Sequence, residues 1–249
     1  MKRLIKKLFS SLGLDIGRLD RAKHIDMAAI FATLRVGEPH VSSGLGVIQV
    51  GANDGVSNDP IFEAVHRFAD KALLLEPQPD VRMTLAENYG KFRGELEIDS
   101  RAVSNEKKII LYQIDIGSVS TIAGVNLSGV TSSDKDHVER YAKRYLGRKY
   151  RHNFIKQFEV ECVRLDELIA RHFDKMEVFL QVDCEGADWD VLQTLGIERP
   201  IAINFEMKHL KSSVIHKAFE WLRFEGYDLF PHAGDCLAIK TSGSARKSS

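Results

Sequence analysis

Short apolar runs alternate along this chain with segments of helical periodicity, and that alternation constrains the fold more than any other feature. It marks βαβ units, and so a mainly parallel sheet with helices on both faces. The runs predict strands at Val47–Val50, Ala72–Leu75, Leu96–Ile98, Val178–Val182, Ile201–Phe205, Tyr227–Phe230 and Cys236–Ile239. The last two flank "PHAGD", a turn-rich connection short enough for an antiparallel hairpin at the edge of the sheet. Helices are predicted over Pro60–Ala69, Asp80–Tyr89, Asp166–Phe173, Asp188–Leu195 and Ser213–Phe224, with Asp59 as an N-cap and Pro60 as the first helical residue.

The alternation fails between Ile109 and Val163. There "IILYQID" and "FEVECVRL" read as an extra strand pair, and a Gly/Ser-rich stretch followed by a charged helix lies between them. An insertion of this length is commonly a lid or binding loop. The predicted organisation is a helical, basic, amphipathic extension over 1–45, one domain over 46–240 with the insertion at about 109–163, and a disordered tail over 241–249. In "MKRLIKKLFSSLGL" the apolar residues fall on one helical face, but Lys6 and Lys7 interrupt the run before it reaches the roughly 7–15 residues of a secretory signal core. That segment is expected either to lie on a membrane surface or to pack on the protein or a partner.

Lys plus Arg number 35 and Asp plus Glu number 35, so charge offers no argument for a nucleic-acid partner. The 44% hydrophobic and 28% charged residues fit a folded domain and exclude long disorder. Cys162, Cys184 and Cys236 lack the spacing of a zinc or redox motif. They fit a reducing cytoplasm, with the inner membrane surface as the place where the basic helix would sit.

The stretch "VIQVGANDGVSNDPIF" runs an apolar strand into glycine, asparagine, aspartate and glycine before a helix begins. In an open α/β sheet, ligands settle where the first strand meets its helix. Gly51 and Gly55 allow positive φ and close backbone approach, so the turn can fold against a ligand and present amide groups to it. A tight structural turn explains the same residues. Glu76 ends the next strand about 20 residues beyond the turn, the distance at which a nucleotide-binding unit offers a carboxylate to a ribose diol. The dinucleotide fingerprint is missing its glycine spacing, and Asp54 would repel a pyrophosphate. S-adenosylmethionine, with ribose and adenine but no phosphates, is better matched, because its cationic groups tolerate Asp54 and Asp183.

The segments "VIQVGANDGVSNDPIF", "LLLEPQP", "CVRLDEL" and "FLQVDCEGADWDVL" resemble, in order, the motifs of the FkbM family of S-adenosylmethionine-dependent methyltransferases. The resemblance implies a Rossmann-like class I methyltransferase fold, a mainly parallel seven-stranded sheet whose last strand is antiparallel. It implies that Gly51, Ala52, Asn53, Asp54 and Gly55 line the methionine end of the cofactor, that Glu76 and Pro77 lie at its ribose, and that Asp99, Ser100 and Ala102 lie near adenine. The substrate class it implies is a hydroxyl on a sugar, glycan or secondary metabolite.

An alcohol acceptor must lose a proton, and a positioned carboxylate or imidazole can take it. Asp183 is expected to position cofactor and acceptor, with Glu185 and His209 as rival bases and Glu206 as a further one. Asp183 and Glu185 could instead cap the helix that begins near Ala187. No compact ligand spacing indicates a metal, and none is expected. Two other function classes are a non-catalytic scaffold that keeps the fold and an NAD-dependent oxidoreductase.

Overall fold

β1 (Leu45–Val50) is buried along its whole length. Parallel strands covered on both faces read as continuous apolar runs for this reason, whereas strands with one wet face alternate. The computed structural model describes residues 25–37, 44–115, 130–197 and 199–240. The predicted helix near the N-terminus before residue 25, the Gly/Ser-rich stretch over 116–129 and the tail after residue 240 lie outside the described residues.

β1 sits at the centre of a seven-stranded sheet, beside β2 (Lys71–Leu75) and β3 (Glu95–Asp99). On its other side lie β8 (Glu177–Val182), β9 (Ala202–Glu206), β11 (Asp235–Lys240) and β10 (Tyr227–His232), in that spatial order. β1 pairs in parallel with β2 and β8, β2 with β3, and β8 with β9. β11 alone runs antiparallel, to both β9 and β10. This is the order and orientation of the class I methyltransferase sheet. The hairpin turn is built on Ala233 and Gly234, both at positive φ, as a two-residue turn between twisted strands requires.

Alternate residues of the central strands feed two cores. Leu45 and Val47 of β1 join Ala72 and Leu74 of β2 on one face, under α1 (Met27–Gly37), α2 (Phe62–Phe68) and α3 (Pro79–Asn88). Ile48 and Val50 join Leu73 and Leu75 on the other, under α5 (Leu165–His172), α6 (Asp188–Leu192) and α7 (Ser212–Phe224). α1 falls in the stretch read from sequence as an extension, yet Met27, Phe31 and Leu34 are buried and the Phe31 ring lies 4.5 Å from that of Phe179. Arg35 clamps Asp70 with two contacts of 2.6 and 3.0 Å and so ties α1 to the start of β2.

Gln49, Gln181 and Asn204 share one register across β1, β8 and β9 and are all buried. Asn204 Nδ2 donates to Gln181 Oε1 at 2.9 Å, and Asn204 Oδ1 lies 3.0 Å from His232 Nε2. Gln49 Nε2 donates to Asp59 at 2.8 Å.

The insertion and the short segment before it form a second, four-stranded sheet in the order β4 (Ala102–Val103), β7 (Ile155–Val163), β5 (Lys108–Ile114) and β6 (Thr131–Ser132). The extra strand pair is present as the antiparallel β5–β7 ladder. The charged helix is α4 (Lys135–Leu146), with the Asp134 carboxylate accepting from the N–H groups of Asp136 and His137. Val138, Ala142 and Leu146 of α4 pack with Ile114, Val130 and Phe154 in a core of their own.

Two helix boundaries differ from expectation. Asp59 does accept from the Ile61 and Phe62 N–H groups, but Pro60 stands outside α2, which begins at Phe62. α6 stops at Leu192, and just beyond it the Thr194 hydroxyl donates to Val191 O and accepts from the N–H of Leu165. Among the described residues no helix is long and apolar enough to cross a membrane.

Candidate active site

The glycine turn closes the carboxyl end of β1, and its backbone is largely self-bonded. The N–H groups of Gly51 and Ala52 both donate to Leu75 O, and that of Gly55 donates to Ala52 O. The N–H of Asn53, a residue at φ 48°, donates to Glu76 Oε2 at 3.0 Å. The expectation that the turn presents amides to a ligand is therefore corrected: its donors are spent on its own bracing.

Bare backbone at both glycines is required by the protein itself. A Cβ on Gly51 would stand 2.0 Å from the carbonyl oxygen of Asp183, and one on Gly55 would stand 2.7 Å from both Leu85 and Tyr89. Both residues also adopt positive φ. Ala52 is buried in the sheet core. The Asp54 carboxylate folds back on its own turn, accepting from the Val56 and Ser57 N–H groups and from Ser57 Oγ. Burial pushes that carboxyl up, but these hydrogen bonds outweigh it and hold Asp54 below its ordinary value.

Glu76, 4% exposed, receives one backbone N–H on each carboxylate oxygen, from Asn53 on Oε2 and from Gln78 on Oε1. Burial raises its pKa although these bonds oppose the rise. A carboxylate has about four acceptor positions, so two remain for a cis-diol. The carbonyls of Glu76 and Pro77 are held by Arg82. The expected adenine residues are committed elsewhere. Asp99 is gripped by Arg101 through Nε and Nη2, and Ala102 is packed with Leu111 and Val160 in the core of the second sheet. Ser100 is exposed beside them.

Across the turn, the loop after β8 carries Asp183 and Glu185. Asp183 is crowded by protein yet open to solvent. The crowding, with Glu185 and Asp235 nearby, pushes its carboxyl up to about 6. No hydrogen bond from the described residues engages its carboxylate. The helix-cap reading of Asp183 and Glu185 does not apply, because Ala187 stands at the N-cap and no side chain caps α6, whose first residue is Asp188. The fully buried carboxylate of Asp188 accepts from the N–H groups of Cys184, Gly186 and Glu206, tying the ends of β8 and β9 together. Burial first, and then Asp183, raise Asp188 to about 7.

Glu185 adopts φ 50°, an uncommon conformation for a non-glycine residue, and its carboxylate reaches toward the insertion. Its Oε2 lies 3.2 Å from His209 Nε2 and 3.2 Å from His137 Nε2, and the two imidazole rings meet edge-on at 4.8 Å. Burial and the neighbouring His137 lower the His209 pKa against the pull of Glu185. Glu206, raised to about 8 by burial and then by Asp183, lies 3.7 Å from His209 and 3.4 Å from Lys208 Nζ. Ser132 Oγ of β6 donates to Glu185 O at 3.4 Å, so β6 and α4 cover this loop.

The site therefore unites Asp183, Glu185, Glu206 and His209 and adds His137. No motif or spacing marked His137, because 48 positions separate it from Glu185 and only tertiary packing joins them.

A protein-family model described as the methyltransferase FkbM domain matches residues 49–229. A search of curated protein sequences finds no match. Among solved structures, the chain is similar to the methyltransferase FkbM from Methylobacillus flagellatus, at 13% identity and a TM-score of 0.46, over 84% of this chain and 47% of that one. The chain thus spans about half the length of that protein. It is also similar to a precorrin-6y C5,15-methyltransferase from Geobacter metallireducens, at 12% identity and a TM-score of 0.40, over 88% of this chain and 90% of that one. A third similar structure is an O-methyltransferase from Bacillus cereus in complex with SAH, at 10% identity and a TM-score of 0.37, covering 95% of this chain and 97% of that one.

Proposed function

The chain belongs to the FkbM methyltransferase family, and from that premise we propose that it transfers a methyl group from S-adenosylmethionine to a hydroxyl of a sugar, glycan or secondary metabolite. The observation that carries this reading is the pairing of two walls at the carboxyl ends of the strands. One wall is the glycine turn clamped to Glu76, and the other is the acid and histidine group around Asp183.

Residues of both walls fit the cofactor. Glu76 keeps two acceptor positions for ribose hydroxyls, and Asp183 supplies negative charge suited to the cofactor's cationic end. S-adenosylmethionine, when bound, supplies an electrophilic methyl group. The chain's part is to align a hydroxyl with it, exclude water and receive the hydroxyl proton. We assign that proton to Asp183, whose carboxylate receives no hydrogen bond from the described residues, with Glu185 and His209 as the rival bases. β6 and α4 roof the acceptor side, which supports a substrate held under the insertion rather than in the sheet. The N-terminal basic segment fits a membrane surface, which would bring the enzyme to an acceptor carried there.

The NAD reading is weakened by the same turn. A pyrophosphate needs free backbone N–H groups, and those of Gly51, Ala52, Asn53 and Gly55 are engaged. Calorimetric titration with S-adenosylhomocysteine, with NAD as the control, tests the assignment. Binding of the first alone supports the methyltransferase, and binding of NAD alone overturns it. Binding of S-adenosylhomocysteine without turnover across a panel of hydroxylated acceptors would favour a scaffold.

A further inference from the structure

We propose that His137, Glu185 and His209 form a binding site for a divalent first-row transition-metal ion of the zinc class. One ligand atom from each residue falls in a group whose members lie within 4.8 Å of one another. The two histidines approach Glu185 Oε2 at 3.2 Å each. Ligands about 2.0–2.1 Å from a tetrahedral ion lie roughly 3.3 Å apart, so both contacts already have the separation that a shared ion imposes.

Hydrogen bonding does not account for the arrangement. His137 Nε2 is buried and has no hydrogen-bond partner among the described residues, although Glu185 stands at contact distance. Glu206 Oε2, also buried and without a hydrogen bond among them, lies 3.7 Å from His209 Nε2. Two imidazole nitrogens and two carboxylates thus converge, with Lys208 Nζ 3.4 Å from Glu206 Oε1 at their edge. A small dication at the shared point would meet the nitrogen lone pairs and offset the crowding of negative charge.

The donor set selects the class of ion. Two imidazoles and one carboxylate suit zinc, cobalt, iron(II) or manganese, whereas magnesium and calcium prefer oxygen ligands. Three protein ligands leave at least one coordination position open, the hallmark of a catalytic rather than a structural site. Each ligand comes from a different part of the fold: α4, the loop after β8 and the loop after β9. An ion would therefore fasten the insertion to the sheet beside the cleft. Its use in orienting an acceptor hydroxyl rests on the methyltransferase reading, but its binding does not.

The test is titration of the apo protein, freed of metal by chelator, with Co2+, followed through visible absorption bands, with Zn2+ as competitor. One equivalent bound with four- or five-coordinate bands is expected. Removing even an outer-shell partner of a metal ligand typically weakens binding 10–100-fold, so His137→Ala, His209→Ala and Glu185→Gln should each weaken it by about 100-fold or more. His152→Ala, at an exposed histidine outside the group, should not. Absence of binding to the wild-type protein overturns the site, whatever the variants do. Binding that folded His137→Ala and His209→Ala proteins retain overturns it as well. Titration with S-adenosylhomocysteine in the presence of EDTA separates this result from the methyltransferase assignment, because His137, Glu185 and His209 are not among the residues assigned to the cofactor.

Discussion

The backbone N–H of Asn53 donates to Glu76 Oε2 at 3.0 Å and so binds the turn after the first strand to the end of the second. One carboxylate thereby holds the shape of the turn while keeping acceptor positions for a ligand. Glu76→Ala should weaken S-adenosylhomocysteine binding by about tenfold or more, near 1.4 kcal/mol or above. Calorimetry decides the matter: equal affinity in the wild-type and variant proteins would remove Glu76 from the cofactor site.

Gly51 should tolerate no side chain. An added Cβ would lie 2.0 Å from a backbone oxygen of Asp183, and only separation of β1 from β8 could relieve that clash. Gly51→Ala is expected to destabilise the protein by more than about 3 kcal/mol, in the range of severe core defects. Gly147→Ala provides the comparison, since a Cβ there meets nothing within 4 Å and only its positive φ is strained, at roughly 1–3 kcal/mol. Urea unfolding of both variants would expose an error if Gly51→Ala proved the milder change.

Asn204 joins Gln181 to His232 inside the sheet. Asn204→Leu removes the partner of two buried polar groups without creating new ones. A loss of about 2–4 kcal/mol is expected, from the cost of leaving buried groups unsatisfied. It should appear as a lower urea midpoint at unchanged slope. A neutral outcome would mean that water or rotation of Gln181 satisfies both.

Acid should uncouple α1 from the sheet. The Asp70 carboxyl is held below its ordinary value chiefly by the hydrogen bond from Arg35, against burial and helped by the Leu45 N–H. A depressed native pKa gives stability that is present above the unfolded value of about 3.9 and lost as pH falls through the native one. The gap in melting temperature between wild type and Arg35→Ala should stay level from about pH 7 to 5 and shrink below about pH 4. Both side chains are roughly 40% exposed, at 43% and 40%, so the gap should be small and should narrow with salt. A gap that persists at pH 2 would assign the effect of Arg35 to packing.

The strands were legible from sequence because a sheet buried on both faces leaves apolar runs, as in "LGVIQV" and "EVFLQV". The place of Glu76 at the end of the second strand, against the glycine turn, was legible because one strand–helix–strand unit fixes its offset. Three things were not. Whether the turn amides are free or engaged depends on backbone twist, which composition does not encode. Asp188 reads as an ordinary first-turn acid until the fold brings the ends of β8 and β9 around it. His137 lies in a helix whose place over the cleft is set by the core of the insertion, and no local pattern reveals such a placement.

That core bears on how the protein can change. Val138, Ala142 and Leu146 anchor one side of α4 to Ile114, Val130 and Phe154, apart from both cores of the large sheet, while His137 faces Glu185. The roof of the cleft is thus an exchangeable part. Residues on the inner surface of α4 can be rewritten without drawing on the packing that keeps the sheet folded, whereas Val103 of β4 and Val163 of β7 belong to a core of that sheet.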